Sequence, residues 1–177
     1  MHRPPTLVTR LGACLLAVAT GACSSTGGEP GGQAVDVGRA AGRAEHEAAV
    51  RGLLALAAEH FGAHDADGYL ALHAADAALV NVNGRLWRLP DDRGQVRDAY
   101  RTALREARMD LEDVELTWLR PDVVLARCDL TVGPFLDAGG GRRPAERQRA
   151  LCVISREAGR WVVRAFQNTR VAHSPGP

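Results

Sequence analysis

The chain contains no lysine: its 22 basic residues are all arginine, and they are scattered among 21 acidic ones. With no basic block or stripe there is no electrostatic footprint for a nucleic acid, and no nucleic-acid partner is expected. Cysteine is scarce as well. Four cysteines, at 14, 23, 128 and 152, are too few for a disulfide scaffold, and no C-x-x-C pair stands ready to seed a zinc site. His60 and His64 are one helical turn apart, but the chain lacks an H-E-x-x-H pattern, so a solvated pair is expected there and no metal. Dinucleotide and flavin signatures are missing, and no cofactor is expected. The triple glycine at 139–141 is followed by neither helix nor lysine, so it is a hairpin turn and not a phosphate cradle. What remains is a near-neutral chain of 177 residues, 46% hydrophobic and 24% charged, the profile of one soluble domain with tails.

The first ten residues carry Arg3 and Arg10 without an acid, and the apolar run Leu11 to Thr20 ends in Gly21-Ala22-Cys23. That run is far short of the roughly 20 residues a membrane-spanning helix needs. It reads as a signal peptide over residues 1–22. The string T-G-A-C at 20–23 resembles the lipobox of bacterial lipoproteins, which implies lipidation of Cys23. The L-G-A-C at 11–14 matches that box letter by letter, but its apolar run follows the cysteine instead of preceding it. The expectation is an exported protein held by lipid alone on the outer face of the cytoplasmic membrane, with secretion as the alternative. Residues 23–44, rich in Ser, Gly, Pro and Ala, are expected as a flexible tether, residues 45–172 as one domain and residues 173–177 as a disordered tail.

Within the domain, Val50, Leu53, Leu54, Ala57 and Phe61 form a helical stripe to about Ala63. Asp65 is placed to cap a second short helix through Leu72, with Tyr69, Leu70 and Leu72 on its buried side. Ala77 to Val82 and a following strand through Trp87, joined at Asn83-Gly84, read as a hairpin. Pro90-Asp91-Asp92 with Gln95 opens a third helix whose apolar face is Val96, Ala99, Tyr100, Ala103, Leu104 and Ala107. After Met109 the period changes to two, giving strands over Leu111–Leu119, Asp122–Val132, Glu146–Arg156 and Arg160–Val171. Three helices followed by a long antiparallel meander is an α+β order, and the sheet would curl around the helices to leave a cone-shaped cavity.

That order resembles the nuclear transport factor 2-like superfamily, and particular strings resemble its SnoaL-like branch. D-A-D-G-Y-L-A-L-H-A-A-D-A-A-L-V-N-V-N-G at 65–84 is similar to the second-helix and first-strand signature. G-R-W-V-V-R-A-F-Q-N-T at 159–169 is similar to the closing strand of the SgcJ/EcaC group, with Gln167 where that group commonly has histidine. F-L-D-A-G-G at 135–140 resembles a hairpin in the association domain of calcium/calmodulin-dependent kinase. The resemblance implies a cone of three N-terminal helices on a curved mixed or antiparallel sheet with a central cavity. It implies no single chemistry, because the superfamily holds isomerases, cyclases, dehydratases, hydrolases and plain binding modules.

Strand alternation sorts the sheet into two faces, and the resemblance to ketosteroid isomerases, whose closing-strand positions matching Arg164, Phe166 and Asn168 face the cavity, implies that Cys128, Leu130, Gln148, Cys152, Phe166 and Asn168 lie on the concave side and Val123, Leu125, Leu151, Val153, Trp161 and Val163 on the convex side. A tight turn at 158–159 would set Cys152 opposite Arg164 and Ala150 opposite Phe166. The apolar convex face suggests a homodimer. Compared with the ketosteroid isomerases of the same fold, the general-base position falls on Asn81, which cannot take a proton, while the oxyanion tyrosine falls on Tyr100 and its aspartate partner near Cys152. His73 matches a cavity-side tyrosine of those enzymes. The expected ligand site comprises Phe61, His73, Asn81, Trp87, Tyr100, Gln148, Phe166 and Asn168, around a small, mostly apolar molecule. The alternative is an enzyme acting on a hydrophobic metabolite with Tyr100 and His73 as acid and base. Asp129 with Arg127 and Arg149 is expected as a cross-strand ion-pair ladder on the convex face. Cys128 and Cys152 are equidistant from Gly140, and a symmetric hairpin would place them opposite, about 4.5 Å apart at Cα and within disulfide reach.

Overall fold

The computed structural model describes residues 31–172, with side chains from residue 42 onward. The expected signal peptide over residues 1–22, Cys23 with its expected lipid, and residues 173–177 lie outside the described residues.

Helix α1 (Gly31–Gly62) presents Val50, Leu53, Leu54 and Phe61 to the core. It runs back through residues 31–44, where the sequence suggested an unordered tether. Lengthening a helix that is already nucleated costs far less than starting one, and the packed turns after Val50 supply the nucleus. Helix α2 (Ala66–Ala71) starts at Asp65, whose side chain accepts from the Gly68 amide at 2.9 Å and pairs with His60 at 2.9 Å. A Cβ on Gly68 would run into both side chains.

Strand β1 (His73–Val80) begins four residues earlier than the hydrophobic pattern suggested and forms a hairpin with β2 (Leu86–Arg88). Helix α3 (Arg93–Arg101) is shorter than expected. Thr102, at φ −116° and ψ −94°, leaves the helix; beyond it the half-buried Leu104 and the fully buried Ala107 pack against the core, while Ala103 is exposed. The strands β3 (Arg108–Arg120), β4 (Val123–Gly133), β7 (Glu146–Glu157) and β8 (Arg160–Arg170) match the four-strand meander closely. Between β4 and β7 lies a small hairpin, β5 (Phe135–Leu136) with β6 (Arg142–Arg143). Its glycine-rich turn is held by Asp137, which accepts from the Gly139 and Gly141 amides at 2.9 and 2.7 Å. Gly133, at φ +134°, lets the chain leave β4; a Cβ there would sit 2.7 Å from the Ala145 backbone.

The sheet order is β2-β1-β8-β7-β4-β3, antiparallel except where β1 runs parallel to β8. The helices cover one face, and Ala126, Cys128, Leu130, Ala150, Cys152 and Ile154 point into the core beneath them. Two register expectations are corrected. Cys128 pairs with Ala150, and Cys152 with Ala126, so the cysteines are diagonal neighbours and both are free, buried thiols. The β4–β7 connection is centred on Gly139 and not on Gly140, with Val132 opposite Glu146, Phe135 opposite Arg143 and Leu136 opposite Arg142, and moving the centre by one residue moves the pairing by two. Likewise Cys152 pairs with Phe166 and Ala150 with Asn168, not with Arg164 and Phe166. Both slips are by two residues, so each side chain keeps its face.

A register shift between Val153 and Ile154 leaves Arg164 as the extra residue on β8. Before that bulge the alternation is reversed relative to expectation. Val163 is consequently buried in the core, and Trp161 packs on the helix side, 5.6 Å from the His46 ring and 5.7 Å from Trp118. Arg164 turns outward to Asp76 and Glu157 at 2.9 and 2.7 Å.

Candidate functional site

Between α3, the β1–β2 hairpin and the concave sheet lies a cavity of about 580 Å³. Phe61, Trp87, Tyr100 and Phe166 form its aromatic wall, and Asn81, Gln148 and Asn168 also line it. Tyr69, read from sequence only as a buried helix residue, also lines it. Tyr69 and Phe61 meet the Tyr100 ring at 5.7 and 5.4 Å, tilted and edge-on, which fixes the ring that faces the cavity. Arg85 lies 5.8 Å over the Trp87 ring and hydrogen-bonds Gln95, bracing the rim.

His73 is the exception. It lines a separate small void of about 30 Å³, with Cys128, Cys152 and Leu54, and not the large cavity. Its Nδ1 bonds the Tyr69 carbonyl oxygen at 2.9 Å, and its ring lies 4.8 Å from that of Tyr69. Burial lowers its pKa to about 4, outweighing the hydrogen bond, and Arg93 lowers it further. A buried imidazole that stays neutral and does not reach the cavity cannot exchange protons with a molecule bound there, so the Tyr100–His73 acid–base pair is not assembled. Cys152, at the position of the isomerase oxyanion aspartate, lines the same small void. Its contact with Cys128, together with burial, pushes its thiol well above the ordinary range, which keeps it protonated.

Asn81, at the isomerase base position, is a turn residue. Its Oδ1 accepts from the Asn83 and Arg85 amides, both at 3.0 Å, and so holds the β1–β2 hairpin. Burial raises the Tyr100 pKa strongly, with the Tyr69 and Asp65 charges adding to it, so Tyr100 serves as a hydrogen-bond donor and not as a base.

Three polar atoms are buried without a hydrogen-bond partner among the described residues: Trp87 Nε1, the Tyr100 hydroxyl and Asn168 Oδ1. All three belong to residues lining the cavity. Buried polar groups are nearly always paired, because an unpaired one costs about 1–3 kcal/mol. Finding three in one cavity was not foreseeable from the sequence, since it depends on which partners each strand neighbour has already taken.

On the convex face Asp129 does meet its arginines. Arg149 donates to it twice, at 2.7 and 2.9 Å, and Arg127 and Arg147 stand at 3.5 and 3.6 Å. The Arg149 hydrogen bonds lower the Asp129 pKa, so the carboxylate stays charged inside a ladder that continues to Glu115 and Glu112.

No protein-family model matches the chain, and no curated protein matches it in sequence. Solved structures do match its shape. An uncharacterized protein with a cystatin-like fold from Caulobacter vibrioides aligns with a TM-score of 0.66 at 20% identity, over 72% of this chain and 91% of that one. An NTF2-like protein of unknown function from Pseudomonas putida aligns at 0.60 and 16% identity, over 75% and 91% of the two chains. A hexachlorocyclohexane dehydrochlorinase from Novosphingobium barchaimii aligns at 0.63 and 13% identity, over 76% and 92%. The fold is therefore the nuclear transport factor 2-like cone, on which some proteins are enzymes and many are uncharacterized. At these identities the likeness extends to the fold alone.

Proposed function

We propose that this SnoaL-like domain binds a small, mostly apolar, uncharged molecule in its cone cavity and performs no histidine-driven proton transfer on it. The observation that carries this reading is the set of three unpaired polar atoms on Trp87, Tyr100 and Asn168, all around one aromatic-walled space of about 580 Å³. A mostly apolar wall with a few unmet polar groups is the usual constitution of a ligand pocket. Among the cavity-lining residues the only carboxylate is Asp98, an exposed group 3.1 Å from Arg101, which leaves no poised base inside. Native mass spectrometry of the protein recovered from its own host is the test. A retained small molecule, lost in a Tyr100→Phe, Asn168→Leu double variant, is expected. A bare chain that also gains no thermal stability from any of a panel of apolar phenols and ketones would overturn the reading.

The same proposal places the protein outside the cytoplasmic membrane, anchored through Cys23, and pairs two copies through the convex face. The sequence from Arg3 to Cys23 supports the first part. Leu119 and Leu151, 57% and 50% exposed on the sheet side away from the helices, support the second, flanked by alternating arginines and acids that a two-fold axis would bring into register.

A further inference from the structure

Resting on the cavity reading, we infer that Glu146 fixes the hydrogen-bond polarity of the ligand site through two amides, so that the ligand must carry a hydroxyl or N–H donor where it meets Asn168. Glu146 accepts from Arg170 Nε at 2.8 Å with one carboxylate oxygen and from Gln148 Nε2 at 2.8 Å with the other. An ionised carboxylate only accepts, so it fixes which way the Gln148 amide points: nitrogen toward Glu146, oxygen away. Gln148, 1% exposed, has no second orientation that pairs both ends. Its Oε1 therefore accepts from Asn168 Nδ2, at 2.5 Å. That commits the Asn168 nitrogen to the protein and leaves Oδ1, on a residue that lines the cavity, as a buried acceptor without a partner among the described residues.

The orientation of each amide follows from the chemistry of its neighbour, starting at the carboxylate, and not from how an amide happens to be drawn. Trp87 Nε1 and the Tyr100 hydroxyl, on two other residues that line the cavity, are the remaining unpaired groups, and the indole can only donate. The complementary ligand is accordingly a neutral, largely apolar molecule with a hydroxyl or N–H donor at one place and an oxygen acceptor at another. Glu146 is a positioning residue in this scheme, since it acts on the ligand only through Gln148 and Asn168.

The relay is tested by titrating 2-naphthol and its methyl ether, 2-methoxynaphthalene, into the full chain. The two differ in whether their oxygen can donate. Wild type is expected to bind the naphthol at least about tenfold tighter, since the ether leaves Asn168 Oδ1 unpaired. In Glu146→Gln, Arg170 holds the new amide by its oxygen and leaves the NH2 facing Gln148. Both downstream amides then reverse, Asn168 offers its nitrogen, and the preference falls to about twofold or inverts. Arg170→Gln removes the ion pair but keeps the carboxylate, so it retains the wild-type ratio; a merely structural role for Glu146 would disturb both variants alike. If Glu146→Gln does not fold, Gln148→Met, which cuts the relay nearer the cavity, is expected to lose the preference in the same way. Equal binding of the two compounds by wild type, or an unchanged ratio in the variants, overturns the relay and leaves the cavity reading standing. Failure of both compounds to bind overturns the relay; joined by a bare chain in native mass spectrometry and no stabilisation by the apolar panel, it overturns the cavity reading as well.

Discussion

Asp129 on β4 and Asn168 on β8 are polar residues of one sheet, one on its convex face and one on its concave face, and their circumstances are opposite. Asp129 has three guanidinium groups within 3.6 Å, while Asn168 has a single amide partner and a buried oxygen left over. The convex cluster closes on itself, so its residues explain one another. The concave set does not close, and the missing partner has to come from elsewhere. Completeness of pairing, more than residue type, separates the part of the sheet that holds the fold together from the part addressed to another molecule.

Substitutions on the two faces should therefore differ in kind. The largest loss of stability is expected from Asp129→Leu, which strands the arginines that the carboxylate gathers; a urea midpoint equal to wild type would erase the contrast. Next comes His73, a concave-side group that is already satisfied. Its folded pKa of about 4 lies below the ordinary 6.5, so the unfolded chain takes up more protons between those values. Stability is complete above pH 6.5 and declines as the pH falls toward 4, by roughly 3 kcal/mol, and unfolding of His73→Gln should show a shallower decline. Tyr100→Phe removes a hydroxyl that has no partner, so it should leave stability unchanged or raise it by up to about 1 kcal/mol while weakening 2-naphthol binding about tenfold. A marked drop in melting temperature would show that the hydroxyl is paired after all. The smallest effect on stability, within about 0.5 kcal/mol, is expected for Leu151→Glu, whose readout is instead the mass by light scattering: a dimer in wild type, a monomer in the variant.

Much of this was legible in the sequence because alternation survives errors of register. Phe166, Asn168, Gln148 and Cys152 share one face by alternation, and a two-residue slip in register leaves them on it. Trp161 and Val163 were misplaced because a bulge moves the alternation by one, and nothing in R-W-V-V-R-A-F announces which residue will be extra. Asn81 was recognised as a non-base by its chemistry, yet its duty in the hairpin turn depends on backbone amides that sequence does not display. His73 failed as a cavity residue for a simple reason. It begins β1, and its ring is held by the Tyr69 carbonyl beside the small void and not the large cavity.

The parallel contact between β1 and β8 has a consequence for the order of events during folding. Ala78, Leu79 and Val80 pair with Ala165, Phe166 and Gln167, 87 residues further along the chain. Asn81 and Trp87 come with the first of these strands, Phe166 and Asn168 with the last. Until β8 has docked, the hairpin carrying β1 and β2 has no neighbouring strand to join, and such distant pairings are the slow ones to form. A nascent or shortened chain lacking β8 would keep much of the meander but have no enclosed space. The capacity to hold a small molecule thus arises in one step, at the end, and an added ligand would protect β1 and β8 from hydrogen exchange together.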